Sequence, residues 1–369
     1  MEIPLYKVHM PEESTSPIEE VLRSGRISSG PNVAFFETLL QEYFGNPWVT
    51  TTSDMSTSLT LCLYMAGVRP GDEVVMSPLV CLATSCPVRN LFAEVRWCDV
   101  DPLTGNLDPE DLQRRISAKT KAIVVFHWAG NPADLDAIHA IARSHGIPVI
   151  EDASEALGAE YRGQRVGNCG SDFTVFSFYP NRHITTIDGG AITFARKEDY
   201  ERGRWLKRYG IHQPSFRTTE GEINPLSEID EAGWNCAMHH VAATLGVAQM
   251  GHLPELIRRR VANGEFFDRA LQGVPGVTLL RREPRTVSAY WVYTFLAERR
   301  DELLQRLRGE QIGASKVHLR NDIYACFGGL KEQFPGVDEF ERRSLSVPCG
   351  HWLSEDDRES IVACIKRGG

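Results

Sequence analysis

The chain has no paired-cysteine motif, no excess of positive charge, no long apolar run and no internal repeat, and each absence removes a class of function. Its nine cysteines include no CxxC pair and stand singly in apolar runs such as Leu61-Cys62-Leu63 and Val80-Cys81-Leu82. That pattern fits buried, reduced thiols and argues against a disulfide framework or any metal site. Lys and Arg number 40 against 49 Asp and Glu, a formal net charge of −9. The chain as a whole repels a phosphate backbone, so no nucleic acid partner is expected. Glu2, Lys7, Glu12 and Glu13 interrupt the start of the chain, and nowhere do the roughly 20 apolar residues of a bilayer span run together. No membrane partner and a cytoplasmic location are expected. Low-complexity tracts are also missing, which excludes a linker-like chain.

What is present is a long alternation of two hydrophobic periods. At 369 residues and 42% hydrophobic content the chain can bury a core large enough for two domains. Apolar runs at Glu73–Met76, Ala93–Trp97, Ala122–Phe126 and Ile147–Ile150 read as buried strands. Between them, Ser56–Ala66, Asp108–Ile116 and Asp134–His145 read as helices. Strands separated by helices predict an α/β fold with a mainly parallel sheet covered on both faces, with ligands at the carboxyl ends of its strands. After about Asn235 the pattern changes. A long Arg-rich amphipathic stretch, Val241–Leu271, is followed by strand-like Ala289–Phe295 and helix-like Glu302–Glu310. A large domain over 1–234 and a smaller α+β domain over 235–369 are expected, with Gln213–Glu222 as a surface loop.

The chemistry concentrates in Ser177-Phe178-Tyr179-Pro180-Asn181-Arg182-His183-Ile184-Thr185-Thr186, followed by Asp188-Gly189-Gly190. This segment resembles the Schiff-base segment of the DegT/DnrJ/EryC1/StrS sugar aminotransferases, where a lysine that binds pyridoxal 5′-phosphate (PLP) follows the Asn. Arg182 stands in that place. Three further segments support the resemblance: Ser24-Gly25-Arg26-Ile27-Ser28-Ser29-Gly30-Pro31, Pro70-Gly71-Asp72-Glu73-Val74 and Gly233-Trp234-Asn235. Together they carry it from Leu22 to His318, and their order makes the combination specific where any one alone is weak.

The resemblance implies a fold-type-I PLP-dependent transferase and assigns its site. Asp152, just past a predicted strand, becomes the carboxylate that keeps the pyridine nitrogen protonated; an Asp capping the following turn would look the same in sequence. The cofactor phosphate falls to the Met55 and Ser56 amides at a helix start, the Ser56 hydroxyl, Ser177 and, from a neighbouring subunit, Asn235. Cys81 takes the place of an aromatic residue that stacks on the ring, a smaller contact. Glu155 takes the place of a Gln or His on the other face, as an acid/base group or as a surface charge. His183 neighbours the altered position and is a base or a structural histidine. His127 likewise lines the crevice or braces the fold.

Function follows from the same comparison. The family implies amino transfer onto a keto-sugar, often nucleotide-linked, with glutamate or glutamine as donor, in a homodimer with shared sites. Arg182 changes the expectation, because a guanidinium stays protonated and neither forms an imine nor serves as a base near neutrality. PLP or pyridoxamine 5′-phosphate is then expected to bind without a covalent link, with ordinary transamination impaired. Two alternatives stand beside this: a lysine-less, pyridoxamine-dependent dehydratase or rearrangement enzyme, and a non-catalytic binding or partner subunit.

Overall fold

The longer buried strands are rich in β-branched and aromatic residues. β1 (Val49–Thr52), β2 (Glu73–Met76), β3 (Glu94–Trp97), β4 (Thr120–Phe126) and β5 (Val149–Asp152) are followed by a short hairpin, β6 (Glu160–Tyr161) and β7 (Gln164–Arg165), and then by β8 (Phe173–Ser177) and β9 (Gly190–Phe194). Residues 2–367 are described by this computed structural model. Seven of the strands make one sheet in the order β1-β9-β8-β5-β4-β2-β3. Its pairs are parallel from β3 to β8, and β9 runs antiparallel to both β8 and β1. Central strands β5, β8 and β9 are buried along their whole length, as expected of a sheet covered on both faces. Edge strand β3 exposes Glu94 and Arg96 instead, and such charges deter pairing with another chain.

Helices close both faces. The helix Met55–Met65 buries Leu59, Leu61, Cys62 and Leu63 and is capped by Asp54, whose Oδ1 accepts the Thr57 amide at 2.8 Å. Such a cap stabilises a helix by about 1 kcal/mol. On the opposite face, Leu135–His145 buries Leu135, Ile138 and Ala142.

A second layer is built from β10 (Val277–Leu279), β12 (Tyr293–Ala297) and β13 (Ser344–Val347), all antiparallel, while β11 (Thr286–Val287) pairs with β6 and so ties the second half of the chain to the first. Phe267, Phe295, Leu303, Leu345 and Ile361 fill its core. The beginning of the chain joins this layer, since Ile3 exchanges backbone hydrogen bonds with Gln311 and Gly313.

Three local expectations are corrected. The stretch Val241–Leu271 is two helices, His240–Met250 and Leu253–Leu271, parted at Gly251-His252 because Pro254 suits a helix start and disfavours helix before it. The first of them packs on Pro31–Phe44 of the large layer, with Gly246 against the Phe36 ring, where a Cβ would come within 2.7 Å. The strand read at Ala289–Phe295 begins only at Tyr293, since Tyr290 is turned to φ 45°. Gln213–Glu222, read as loop, holds the short helix Gln213–Phe216.

Candidate active site

The carboxyl end of β5 delivers both acidic groups of the crevice, Asp152 and Glu155. Asp152 ends β5 with no exposed surface; Thr84 Oγ1 donates to its Oδ2 at 2.6 Å and the Ser154 amide to its Oδ1 at 3.0 Å. Burial raises its carboxyl above the ordinary carboxylate range, although these hydrogen bonds and the charge of Arg182 oppose the shift. Its neighbour Glu151 points the other way along the strand. It accepts from His127 Nε2 at 2.8 Å, and His127 Nδ1 accepts the Ala133 amide at 3.1 Å. Both are fully buried, so His127 is a hydrogen-bonded brace under the crevice and does not line it.

Glu155 is the hub of the site. It is 1% exposed, which removes the surface-charge reading. Its Oε2 accepts the Ala129 amide at 2.9 Å, while its Oε1 accepts from His318 Nε2 at 2.8 Å and from Arg182 Nη1 at 3.4 Å. The Arg182 guanidinium lies over the Trp291 ring, 4.5 Å from its centre, an attractive cation–π arrangement. Trp291 is fixed in turn, since its Nε1 donates to the Asn181 carbonyl at 2.6 Å and Tyr6 stacks on it with ring centres 4.9 Å apart. Burial and the nearby Glu155 charge push the Tyr6 phenol up, so its hydroxyl stays protonated. Arg182 Nε is buried without a partner.

The phosphate-side residues sit at the start of the helix Met55–Met65, whose first amides have no intrahelical acceptors. Met55 sends its side chain into the core. Ser56 is half-buried, and Ser177 closes β8 with its Oγ accepting the Tyr179 amide at 3.3 Å. Gly190 is required here: a Cβ would strike Ser58, Thr52 and the Asp54 carbonyl. Asn235 lies exposed beside the residues that pair with the end of β1 and takes no part in this chain's own cluster.

Cys81 precedes the helix Leu82–Asn90, close enough to feel the charges of Arg182, Asp152 and Glu155; burial raises its thiol, which stays protonated. His183 turns away from the cluster. It is buried, its Nε2 donates to the Ala289 carbonyl at 3.1 Å, and burial with the Arg260 charge lowers its titration far below the usual range. It is a neutral structural donor. Lys207 is buried away from this cluster, with its Nζ on Glu37, Thr50 and the Thr51 carbonyl.

The sequence reading missed His318, Trp291 and Tyr6. His318 stood at the far end of the matched region, Trp291 inside an apparent strand, and Tyr6 on the opening segment. Only contact across 100 residues or more joins them to Glu155 and Asn181. Among the described residues no group of three or more His, Cys, Asp or Glu could hold a metal ion, and no helix is long and apolar enough to cross a membrane.

Comparison with known proteins identifies the family and the fold. Residues 9–366 match the DegT/DnrJ/EryC1/StrS aminotransferase family. The chain is 34% identical to the sugar aminotransferase CalS13 from Micromonospora echinospora, with a TM-score of 0.94 and all of both chains covered. It is 36% identical to AtS13 from Actinomadura melliaura, with a TM-score of 0.93 over 100% of this chain and 99% of that one. The dTDP-3-amino-3,4,6-trideoxy-alpha-D-glucose transaminase of Streptomyces venezuelae is 31% identical over 96% of this chain and 91% of its own length.

Proposed function

The chain belongs to the DegT/DnrJ/EryC1/StrS aminotransferase family and has the fold-type-I architecture of its sugar aminotransferases, and from that premise we propose that it acts on a nucleotide-linked keto-sugar with a cofactor held without a covalent bond. Arg182 carries the proposal. It occupies the lysine position, and its guanidinium is committed to Glu155 and Trp291.

The residues present fit a pyridoxal-type group. Asp152 is a buried carboxylate with no cation paired to it among the described residues, as a protonated ring nitrogen requires. The buried, unpartnered Nε–H of Arg182 would suit an anionic oxygen of such a group. The helix start at Met55 and Ser56, with Ser177, offers amides and hydroxyls to a phosphate. When bound, the cofactor supplies an electron sink for the carbon undergoing amine exchange. With that group bound, Asp152 would keep the ring nitrogen protonated, Cys81 would offer the ring a small contact, and Arg182 would contribute a fixed positive charge without a transferable proton. Ordinary transamination, which needs a lysine as both carrier and base, is impaired.

A homodimer with shared sites belongs to the same proposal. An apolar groove of about 460 Å³ adjoins the site, lined by Ile27, Ile187, Met238 and Val241 together with Ser53 and Asp188. Ile187 is 63% exposed and held at φ 74°, an unfavourable setting for a β-branched residue. A second copy covering this face would bring its Asn235 to the phosphate. Equilibrium dialysis with PLP and with pyridoxamine phosphate, read together with sedimentation, tests the proposal. Binding of either cofactor by a dimer supports it; no binding of either leaves the chain as a partner subunit.

A further inference from the structure

We infer that His318, oriented by Glu155, is the residue that transfers the proton in this lysine-less site. The inference rests on the cofactor reading above and deepens it. The imidazole and the Arg182 guanidinium converge on a single atom, Glu155 Oε1, at 2.8 and 3.4 Å. His318 therefore stands at the same carboxylate as the side chain that displaced the lysine. The carboxylate also fixes the tautomer: Nε2 carries the hydrogen donated to Glu155, and among the described residues no hydrogen bond occupies Nδ1, which keeps its lone pair. A buried acid behind one ring nitrogen with a free second nitrogen is the arrangement that makes imidazole a base.

The protein holds this ring by means that cost stability. Trp291 stacks on it at 15° with ring centres 6.1 Å apart, and Phe126 and Trp128 meet it edge-on at 5.6 and 5.5 Å. The His318 amide donates to the Lys316 carbonyl at 2.9 Å across Val317, which sits at φ 70°. That is a γ-turn of the rare, strained hand, built on a β-branched residue. Ala129, whose amide holds Glu155, is at φ 53°, and Tyr290, which precedes Trp291, is at φ 45°. Three strained residues thus adjoin three members of one cluster. Each costs about 1–3 kcal/mol and persists where surrounding structure imposes it, which is characteristic of functional sites.

In the step assigned to it, His318 Nδ1 accepts the proton that C4′ of pyridoxamine phosphate must lose during amine exchange with a keto group. Glu155 balances the imidazolium charge. The released electron pair stays in the conjugated system, and His318 returns the proton to the carbon that bore the ketone, ending neutral. No oxidant or further reactant is required. Glu155 acts here as a positioning residue.

The test combines two readouts on the full chain. In ¹⁵N-imidazole spectra of the protein without cofactor, His318, assigned by its loss in His318→Gln, should show the Nε2–H tautomer, and Glu155→Gln should shift it to Nδ1–H. In D₂O with pyridoxamine phosphate and 2-oxoglutarate as the keto probe, the wild type should exchange C4′ hydrogen faster than the protein-free mixture. His318→Gln should lower that rate by roughly 10²–10⁴-fold while cofactor affinity changes only slightly. An Nδ1–H tautomer in the wild type, no exchange above the protein-free rate, or equal exchange in His318→Gln overturns the inference. Failure of pyridoxamine phosphate to bind the wild type instead overturns the cofactor reading, whatever the tautomer.

Discussion

Replacing Glu155 by Gln should destabilise the protein although the two side chains have the same shape. In the structure one Glu155 oxygen accepts the Ala129 amide and the other accepts from His318 and Arg182. A Gln can keep the first contact only by turning its NH₂ toward His318 Nε2–H and the guanidinium, donor against donor. The ring can respond by moving its hydrogen to Nδ1; Arg182, 10% exposed, loses its counter-charge. Breaking a buried ion pair costs about 3–5 kcal/mol. The 3.4 Å separation is long for such a pair, and stacking on Trp291 retains about 0.5–2 kcal/mol of cation stabilisation. The expected loss is therefore about 2 kcal/mol, or about 2–3 °C in Tm for a chain of this length. Calorimetry of Glu155→Gln, Arg182→Met and the double variant measures it. The double variant should recover about 1 kcal/mol relative to the sum of the single losses. A Glu155→Gln protein as stable as the wild type, with no coupling to position 182, would refute the charge cluster.

Asp152→Asn should stabilise the cofactor-free protein at neutral pH yet abolish cofactor retention in dialysis. Because burial raises the Asp152 carboxyl, the unfolded chain ionises first, so its unfavourable contribution grows as pH rises from about 4 through the raised folded value; the variant's Tm–pH profile should be flatter across that window. His183 has the opposite sense: its titration lies far below the ordinary value, so stability is lost as pH falls below about 6.5, and His183→Gln should reduce that acid sensitivity in a urea-midpoint series. Val317→Gly should relieve the γ-turn, raising stability by about 0.5–1 kcal/mol after the entropy of the unfolded glycine is counted, while slowing C4′ hydrogen exchange because His318 is held less tightly.

Much of the fold was legible because strand and helix periods are local properties. The run Glu73–Met76 is a strand as read, and Asp134–His145 differs from its helix by one residue. The break in Val241–Leu271 follows from Pro254, a local signal, whereas at Ala289–Phe295 a tertiary contact had overridden the pattern. Tyr290 and Trp291 have strand-like side chains, but Tyr290 is bent out of the extended region and Trp291 is anchored to Asn181. The candidate site divides in the same way. Asp152, Ser56 and Ser177 lie at element ends that sequence locates, whereas the role of Glu155 depends on whether anything covers it. His318, more than 100 residues away, supplies part of that cover. The neutrality of His183 also required the structure, since nothing in Arg182-His183-Ile184 reveals the Ala289 carbonyl or the Arg260 charge.

The central claim is that Arg182 leaves a cofactor pocket intact but removes its covalent anchor, and borohydride reduction in the presence of PLP tests it most directly. The wild type should retain PLP in dialysis, and after reduction the peptide containing Asn181-Arg182-His183 should carry no pyridoxyl group. Arg182→Lys should turn yellow with PLP and carry the label on that same peptide. A wild-type protein labelled at Lys207 or another lysine, or an Arg182→Lys protein that stays colourless and unlabelled at saturating PLP, would contradict the claim.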